Sequence, residues 1–298
     1  VKIFERRIRV RSLQRGVTII PFACVHWDHP GFHETLFKQF IERVRQDPIA
    51  WTIGLGDYLD FARQSYRHEL RKALPAGDED SQEHLDYFVA DRAENFISQV
   101  SPIKSRCIGL IDGNHNWVFL STNQARGWAA SETLTAYIAR RLSVPYLGYT
   151  AVVDLLFENE RGVFDKYTLF ASHGYGMSGT TAASDLGAME RKVEPAFSAD
   201  CMMTAHTHRR LAYFLPEIEV CNGEIMERSH LLIKAGAFLK AYLENRVTYA
   251  ERKLYRPLDL GWVEIHIEWR RSGPALKRYV TVSMQRSTDV SYRSDSTN

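Results

Sequence analysis

Residues Ile49 to Asp60 read IAWTIGLGDYLD. From Ile49 to Leu55 the side chains are apolar except at Thr52 and Gly54, the texture of a buried strand. The run passes directly into Gly56-Asp57, a turn that carries a carboxylate. In α/β sheets, loops at the carboxyl ends of neighbouring strands converge, and ligands bind there. This segment therefore predicts an α/β fold with a site at strand ends.

The same unit recurs on both sides. Val17 to Ala23 is a continuous apolar run, broken by Pro21, that leads into Cys24-Val25-His26. Cys107 to Ile111 leads into Gly113-Asn114-His115. Lys166 to Ser172 leads into His173-Gly174, and Cys201 to Ala205 into His206-Thr207-His208. Helices are predicted between them. Phe32, Leu36, Phe37, Phe40, Ile41 and Val44 recur at helical spacing just after Pro30-Gly31. Glu132 to Leu142 is helical and Pro145 stops it; another helix covers Ala182 to Lys192. After His208 the pattern turns strand-rich, with strands expected at Leu231–Ile233, Trp262–Trp269 and Lys277–Met284. Alternation followed by a strand-rich half predicts an α/β sandwich with a mixed sheet. Residues 1–286 form one domain in this reading, with a helical insertion or cap at about 61–100 and a polar tail at 287–298.

Bulk properties narrow the class. The chain has 298 residues, 45% hydrophobic and 25% charged, the range of an ordinary globular protein. A formal net charge of +2 gives no whole-protein case for nucleic-acid binding. No run of about 18 apolar residues is present, so no membrane association is expected. The arginine-rich start, Val1 to Arg15, does not read as a secretory signal. Cys24, Cys107, Cys201 and Cys221 include no Cys-x-x-Cys and form no disulfide framework, which points to a reducing, cytoplasmic setting.

The strand-end residues share a chemistry. Convergence of these loops would gather a cysteine, an aspartate, an asparagine and several histidines. Imidazole suits zinc, iron and manganese, and a carboxylate can bridge two ions. Two ions roughly 3.5–4 Å apart can clamp a phosphate and lower the pKa of a bound water. In His206-x-His208, period-2 alternation would place both rings on one face.

Gly56-Asp57-x-x-Asp60, Gly113-Asn114-His115, His173-Gly174 and His206-x-His208, in that order, resemble the calcineurin-like metallophosphoesterases over about residues 17 to 210. The resemblance implies a four-layer αββα sandwich with mixed β-sheets and two divalent ions (manganese, zinc or iron). It implies that Asp57 bridges the ions, that Asn114, His173 and His206 bind one, and that His26 and His208, with residue 24, bind the other. His115 would contact the phosphate and act as general acid, supported by Asp60. The family's first motif is Asp-x-His; here it is Cys24-x-His26, as in the RNA lariat-debranching enzymes of the superfamily. Its third motif usually continues with an acidic residue, where this chain has Asn116. A thiolate favours zinc or iron(II) over manganese. Asp28 and His29, just downstream, could compensate for the missing carboxylate.

The implied function is hydrolysis of a phosphate ester, with a phosphodiester, nucleotide or nucleic acid preferred as substrate. The alternatives are a monoesterase acting on a small metabolite and a non-catalytic metal-binding scaffold. Asn114, His115 and Tyr175, in the glycine-rich run from Gly174 to Thr180, are candidate substrate contacts. Trp51, Trp117 and Trp128 could stack a base, although packing is the usual fate of Trp. Cys107, Cys201 and Cys221 read as small buried hydrophobes. His33, His68, His84, His230 and His266 read as ordinary packed or surface residues. Arg6, Arg7, Arg9 and Arg11 alternate with Ile8 and Val10, as on the solvated face of an edge strand.

Overall fold

The structure is a computed structural model; it describes residues 1–60, 79–174, 181–221, 224–244, 246–258, 260–273 and 275–286. Among these, ten strands follow one continuous path that divides into two sheets, and two more pair beside it. The first sheet has the order β1 (Lys2–Arg9), β6 (Thr150–Asn159), β7 (Gly162–Ser172), β8 (Cys201–Thr204), β10 (Glu224–Ala237), with β9 (Arg210–Cys221) on the far side of β10. The second runs β5 (Tyr146–Gly148), β4 (Cys107–Ile111), β3 (Ala50–Gly54), β2 (Val17–Phe22), β11 (Gly261–Ser272), β12 (Ala275–Arg286). Both mix parallel and antiparallel pairs: β2, β3, β4 and β5 are parallel neighbours, whereas β11 runs antiparallel to β2.

Three apolar clusters among the described residues define the layers. Ile19, Ile53, Ile111, Val153, Leu169, Met203, Ile233 and Ile265 meet between the two sheets. Helices α1 (Glu34–Gln46), α2 (Glu79–Val100) and α3 (Leu134–Leu142) cover the outer face of the second sheet, through residues such as Phe37, Phe40, Phe96 and Ile138. Helix α4 (Ala182–Lys192) covers the outer face of the first, with Met189 against Met202 and Leu232. The result is the four-layer αββα arrangement with mixed sheets.

Local chemistry explains the elements. In α1, buried Leu36, Phe37, Phe40 and Val44 form one helical face. Helix α3 starts at Thr133, whose side chain accepts from the Ala136 N–H, and ends at Ser143 in the left-handed conformation. A capping box of Thr181 and Ser184 starts α4. Strand β2 continues through Pro21 because its pairing with β11 ends at Ile19, so the missing N–H falls beyond that ladder. The two sheets join where Gly236 and Ala237 pair with Trp262 and Gly261. A Cβ on Gly236 would lie 2.2 Å from the Gly261 carbonyl oxygen, so the corner requires glycine.

Several strands went unread in the sequence. Strand β6 alternates strictly, with Ala151, Val153, Leu155 and Phe157 buried, and pairs with both β1 and β7. The arginine-rich β1 has β6 as its strand partner, and Arg6 stacks its guanidinium 4.8 Å from the Trp51 ring centre. Of the segment expected as an insertion, 61–78 lies outside the described residues, as does the tail 287–298. The described part, α2, buries Val89, Ala93, Phe96 and Val100 in the helix–sheet core. No helix among the described residues is long and apolar enough to cross a membrane.

Helix α2 also organises the chain that follows His115. Asp86, fully buried, accepts from Trp117 Nε1 at 2.8 Å, from the Leu120 and Ser121 N–H groups at 2.9 and 2.7 Å, and from Ser121 Oγ at 2.8 Å. Asp86→Ala strands these donors in a buried place and is expected to cost about 3 kcal/mol or more. Urea denaturation checks it; a loss below about 0.5 kcal/mol would mean that the clamp is not needed to hold the loop.

Candidate metal centre

All five strand-end loops that the sequence singled out converge on one edge of the sandwich. Three come from the second sheet, after β2, β3 and β4; two come from the first, after β7 and β8. Their convergence rests on unusual backbone. Among the described residues, Cys24, His26, Asp57, His206 and His208 all adopt positive φ, between 48° and 66°. For a non-glycine residue this is uncommon and costs of order 1–3 kcal/mol, so surrounding contacts must impose it.

Those contacts are visible. The Cys24 N–H donates to the Gly56 carbonyl at 3.0 Å, and the Val25 and His26 N–H groups donate to the Asp57 carbonyl at 2.9 and 3.1 Å. Phe238 N–H donates to the Cys24 carbonyl, and Ala205 N–H to that of His173. Tyr58 Oη bridges to Ile111, donating to its carbonyl at 3.0 Å and accepting its N–H at 3.2 Å, which ties the β3 exit to β4. Glycine is obligatory at 113: a Cβ there would lie 2.0 Å from Asp57 Oδ1.

Four potential donor atoms form a chain of close contacts. His173 Nε2 lies 3.0 Å from Asp57 Oδ2 and 2.8 Å from Asn114 Oδ1, and His206 Nδ1 lies 2.9 Å from the same Asn114 oxygen. Ligands at about 2.0–2.2 Å from one ion lie roughly 3 Å from each other, so each successive pair has the spacing of neighbouring metal ligands. The other ring nitrogen of His173, Nδ1, pairs with the Leu55 carbonyl at 2.7 Å. That bond assigns the proton to Nδ1 and leaves the Nε2 lone pair for a metal.

A second set adjoins the first. One potential donor each from Cys24, His26 and His208 lies within 4.8 Å of the others; Cys24, Asp57 and His173 form another such group. His26 Nε2 is buried without a hydrogen-bond partner, 3.9 Å from Asp57 Oδ2. A buried nitrogen without a partner is costly, and a cation between it and the carboxylate would relieve that cost. The donor chemistry of both sets fits divalent ions of the zinc, iron and manganese kind.

Electrostatics agree with ligand duty. Burial, ahead of a smaller contribution from the neighbouring His173 ring, lowers the His206 pKa to about 4. Burial and His26 hold His208 well below the ordinary range. Both rings are therefore neutral, as metal ligands must be. Asp57 is buried, which alone would raise its pKa, but His173, His26 and His115 hold it well below the carboxylate range. Burial, reinforced by the charge of Asp57, pushes the Cys24 thiol up. Without a cation Cys24 is a thiol; a bound cation would hold it as thiolate.

His115 and Asp60 lie beside these sets. The His115 N–H donates to Asp57 Oδ1 at 2.8 Å. Asp60 Oδ1 lies 3.1 Å from His115 Nδ1 and 2.9 Å from His26 Nδ1, so one carboxylate holds two rings. His26, Asp60 and His115 form a third donor group within 4.8 Å. Burial works against protonation of His115, but Asp60 and Asp57 raise its pKa.

Some expected participants are placed otherwise. Asp28 does not compensate at position 24; its Oδ1 accepts the Asp60 N–H at 2.5 Å, and His29 Nδ1 accepts the Gly31 N–H. Trp117 and Trp128 are buried and present no face to a base. Asn116 pairs with Asp112 at 2.7 Å. Cys107 and Cys201 are buried, as small apolar residues would be. Tyr175 lies outside the described residues. Tyr58 escaped sequence reasoning because its role is a pair of hydrogen bonds to backbone, which leave no motif.

No protein-family model and no curated protein matches the sequence. Solved structures do. The calcineurin-like phosphoesterase YfkN from Bacillus subtilis is 10% identical, with a TM-score of 0.39 over 92% of this chain and 91% of that one. A metallophosphoesterase from Sphaerobacter thermophilus is 12% identical, with a TM-score of 0.36 over 92% and 89%. Vacuolar protein sorting 29 from Cryptosporidium parvum is 11% identical, with a TM-score of 0.36 over 91% and 99%. The structures similar to this chain thus include calcineurin-like phosphoesterases, and the chain itself carries a Cys/His/Asp cluster of the metal-binding kind.

Cys24 is the residue by which the site can be tested. Cys24→Asp replaces a soft donor by a hard one and is expected to raise manganese affinity relative to zinc by about tenfold, or ~1.4 kcal/mol. Competition titrations of the purified protein with the two ions measure the ratio. An unchanged ratio would place Cys24 outside the ligand set.

Proposed function

We propose that the chain is a metal-dependent hydrolase of phosphate esters, with phosphodiesters preferred and a small phosphomonoester as the alternative substrate class. The observation that carries this reading is the chain of close contacts from Asp57 Oδ2 through His173 Nε2 and Asn114 Oδ1 to His206 Nδ1, beside the unpartnered His26 Nε2. Asn114, His173 and His206 would hold one ion; Cys24, His26 and His208 would hold the other; Asp57 would touch both. Bound there, divalent ions lower the pKa of water and polarise phosphoryl oxygens.

The chain's own groups supply the remaining chemistry. His115 has its Nδ1 engaged by Asp60, which leaves Nε2 for a substrate oxygen. The raised proton affinity of His115 suits a general acid that protonates the leaving oxygen. Asp60 also holds His26 Nδ1 and so selects Nε2 as the ligand atom. Asn114 is close enough to both histidines to fix their separation. The His115–Asp60 pair speaks against a purely binding scaffold, which has no use for a proton donor at that place.

The diester preference rests on Cys24 in the first motif, the residue that the debranching enzymes also carry there. Its aromatic support falls away, since Trp117 is 2% and Trp128 3% exposed. Hydrolysis of bis(p-nitrophenyl) phosphate and of p-nitrophenyl phosphate, after metal stripping and re-addition of manganese, zinc or iron(II), decides between the classes. His115→Ala is expected to lower kcat by about a hundredfold or more while metal content stays unchanged. Loss of metal in that variant would make His115 a ligand instead of the acid. Absence of turnover with every metal, natural nucleic acids included, would exclude the hydrolase.

A further inference from the structure

The His206–His208 turn has a charged foundation that no motif announces. Lys234 on β10 is fully buried. It pairs across the parallel ladder with Thr204, two residues before His206, and across the antiparallel ladder with Leu211, three residues after His208. It therefore stands between the strand that enters the turn and the strand that leaves it. Side chains alternate along β10: Leu231, Ile233 and Ala235 face the other sheet, while Leu232 packs in the α4 layer. Lys234 shares the face of Leu232 and points toward α4.

The partners on that face are charged as well. Asp185, near the start of α4, is fully buried. Arg209, the residue after His208, donates from Nη1 to Asp185 Oδ2 at 2.5 Å and to the Thr181 carbonyl at 3.2 Å. The Arg209 carbonyl accepts the Gly236 N–H at 3.0 Å. Lys234 and Arg209 thus set two cations against one carboxylate in the layer beneath the turn. Burial lowers the Lys234 pKa to about 8, while Asp185 acts to keep its charge. Buried charges of this kind seldom contribute net stability over an apolar replacement, which directs attention to a role at the site.

We propose that Lys234 is a positioning residue for the metal centre, which with Asp185 and Arg209 fixes the His206–His208 turn in its left-handed backbone and so aims both rings at their ions. The proposal rests on the metal-centre reading above. It places the determinant of ligand geometry in a layer that touches neither substrate nor ion.

The test is metal binding by the full chain, read independently of turnover. Cobalt(II) titration reports Cys24 through the thiolate-to-cobalt charge-transfer band, and zinc competition gives affinity. Lys234→Met is expected to lower zinc affinity at least about tenfold and to weaken or shift the band. Because that variant leaves Asp185 with one cation fewer, the double variant Lys234→Met/Asp185→Asn is measured beside it. The double variant is expected to fold, by thermal melting of the metal-free protein, and to show the same loss. Wild-type zinc affinity and an unchanged cobalt spectrum in a folded double variant would overturn the proposal. A wild-type protein that takes up no cobalt would overturn the metal-centre reading itself.

Discussion

The carboxylate of Asp57 is the contact on which the rest of the site depends. Its Oδ1 takes the His115 N–H, its Oδ2 faces His173, and its backbone carbonyl takes the Val25 and His26 N–H groups. One residue therefore registers the loops after β2, β3, β4 and β7 against each other. Its positive φ is the geometric condition for pointing side chain and carbonyl at different neighbours. Glycines at 56 and 113 follow from it, because a Cβ on Gly113 would occupy the place of the carboxylate, and one on Gly56 would strike the Gly113 backbone.

The site thereby draws on strain held elsewhere. Left-handed backbone at Cys24, His26, Asp57, His206 and His208 is unfavourable for each residue alone. It persists because the flanking strands are buried on both faces and their exits are cross-linked by main-chain hydrogen bonds. The same burial keeps His206 and His208 neutral. Packing and ligand chemistry are in this sense one constraint: a looser sandwich would relax the turns and hydrate the rings together.

The convergence of the candidate donors was legible in the sequence because each residue follows an apolar strand and carries a metal-competent atom, as in Gly56-Asp57 and Gly113-Asn114-His115. The layered α/β architecture followed from the alternation of 3.6 and 2.0 periodicities. Strand β6 was missed although Ala151, Val153, Leu155 and Phe157 alternate cleanly, because polar Asp154 and Glu158 interrupt the apolar count. Strand β9 was missed because its apolar residues Phe214, Ile218 and Val220 remain exposed, and Pro216 reads as a break. The base-stacking reading of Trp117 failed for a different reason: its indole N–H is claimed by Asp86, thirty-one residues away, and no local pattern encodes that pairing. Asp28 likewise had the right chemistry for a ligand, but its reach is taken up by the Asp60 backbone.

The glycine corner at Gly236 and Gly261 has a kinetic consequence. Strands β2, β3 and β4 belong to one sheet and β7 and β8 to the other, and their exits meet only once the sheets have docked. Cys24 and His208 are then neighbours although far apart in sequence, a non-local contact of the kind that slows folding. Until that moment neither half presents a complete ligand cage, and a metal ion gains its full set of contacts only from the finished sandwich. Such an ion would stabilise the folded state by mass action. Its removal would accordingly lower the stability of the whole sandwich, both sheets together, in step with the free-ion concentration.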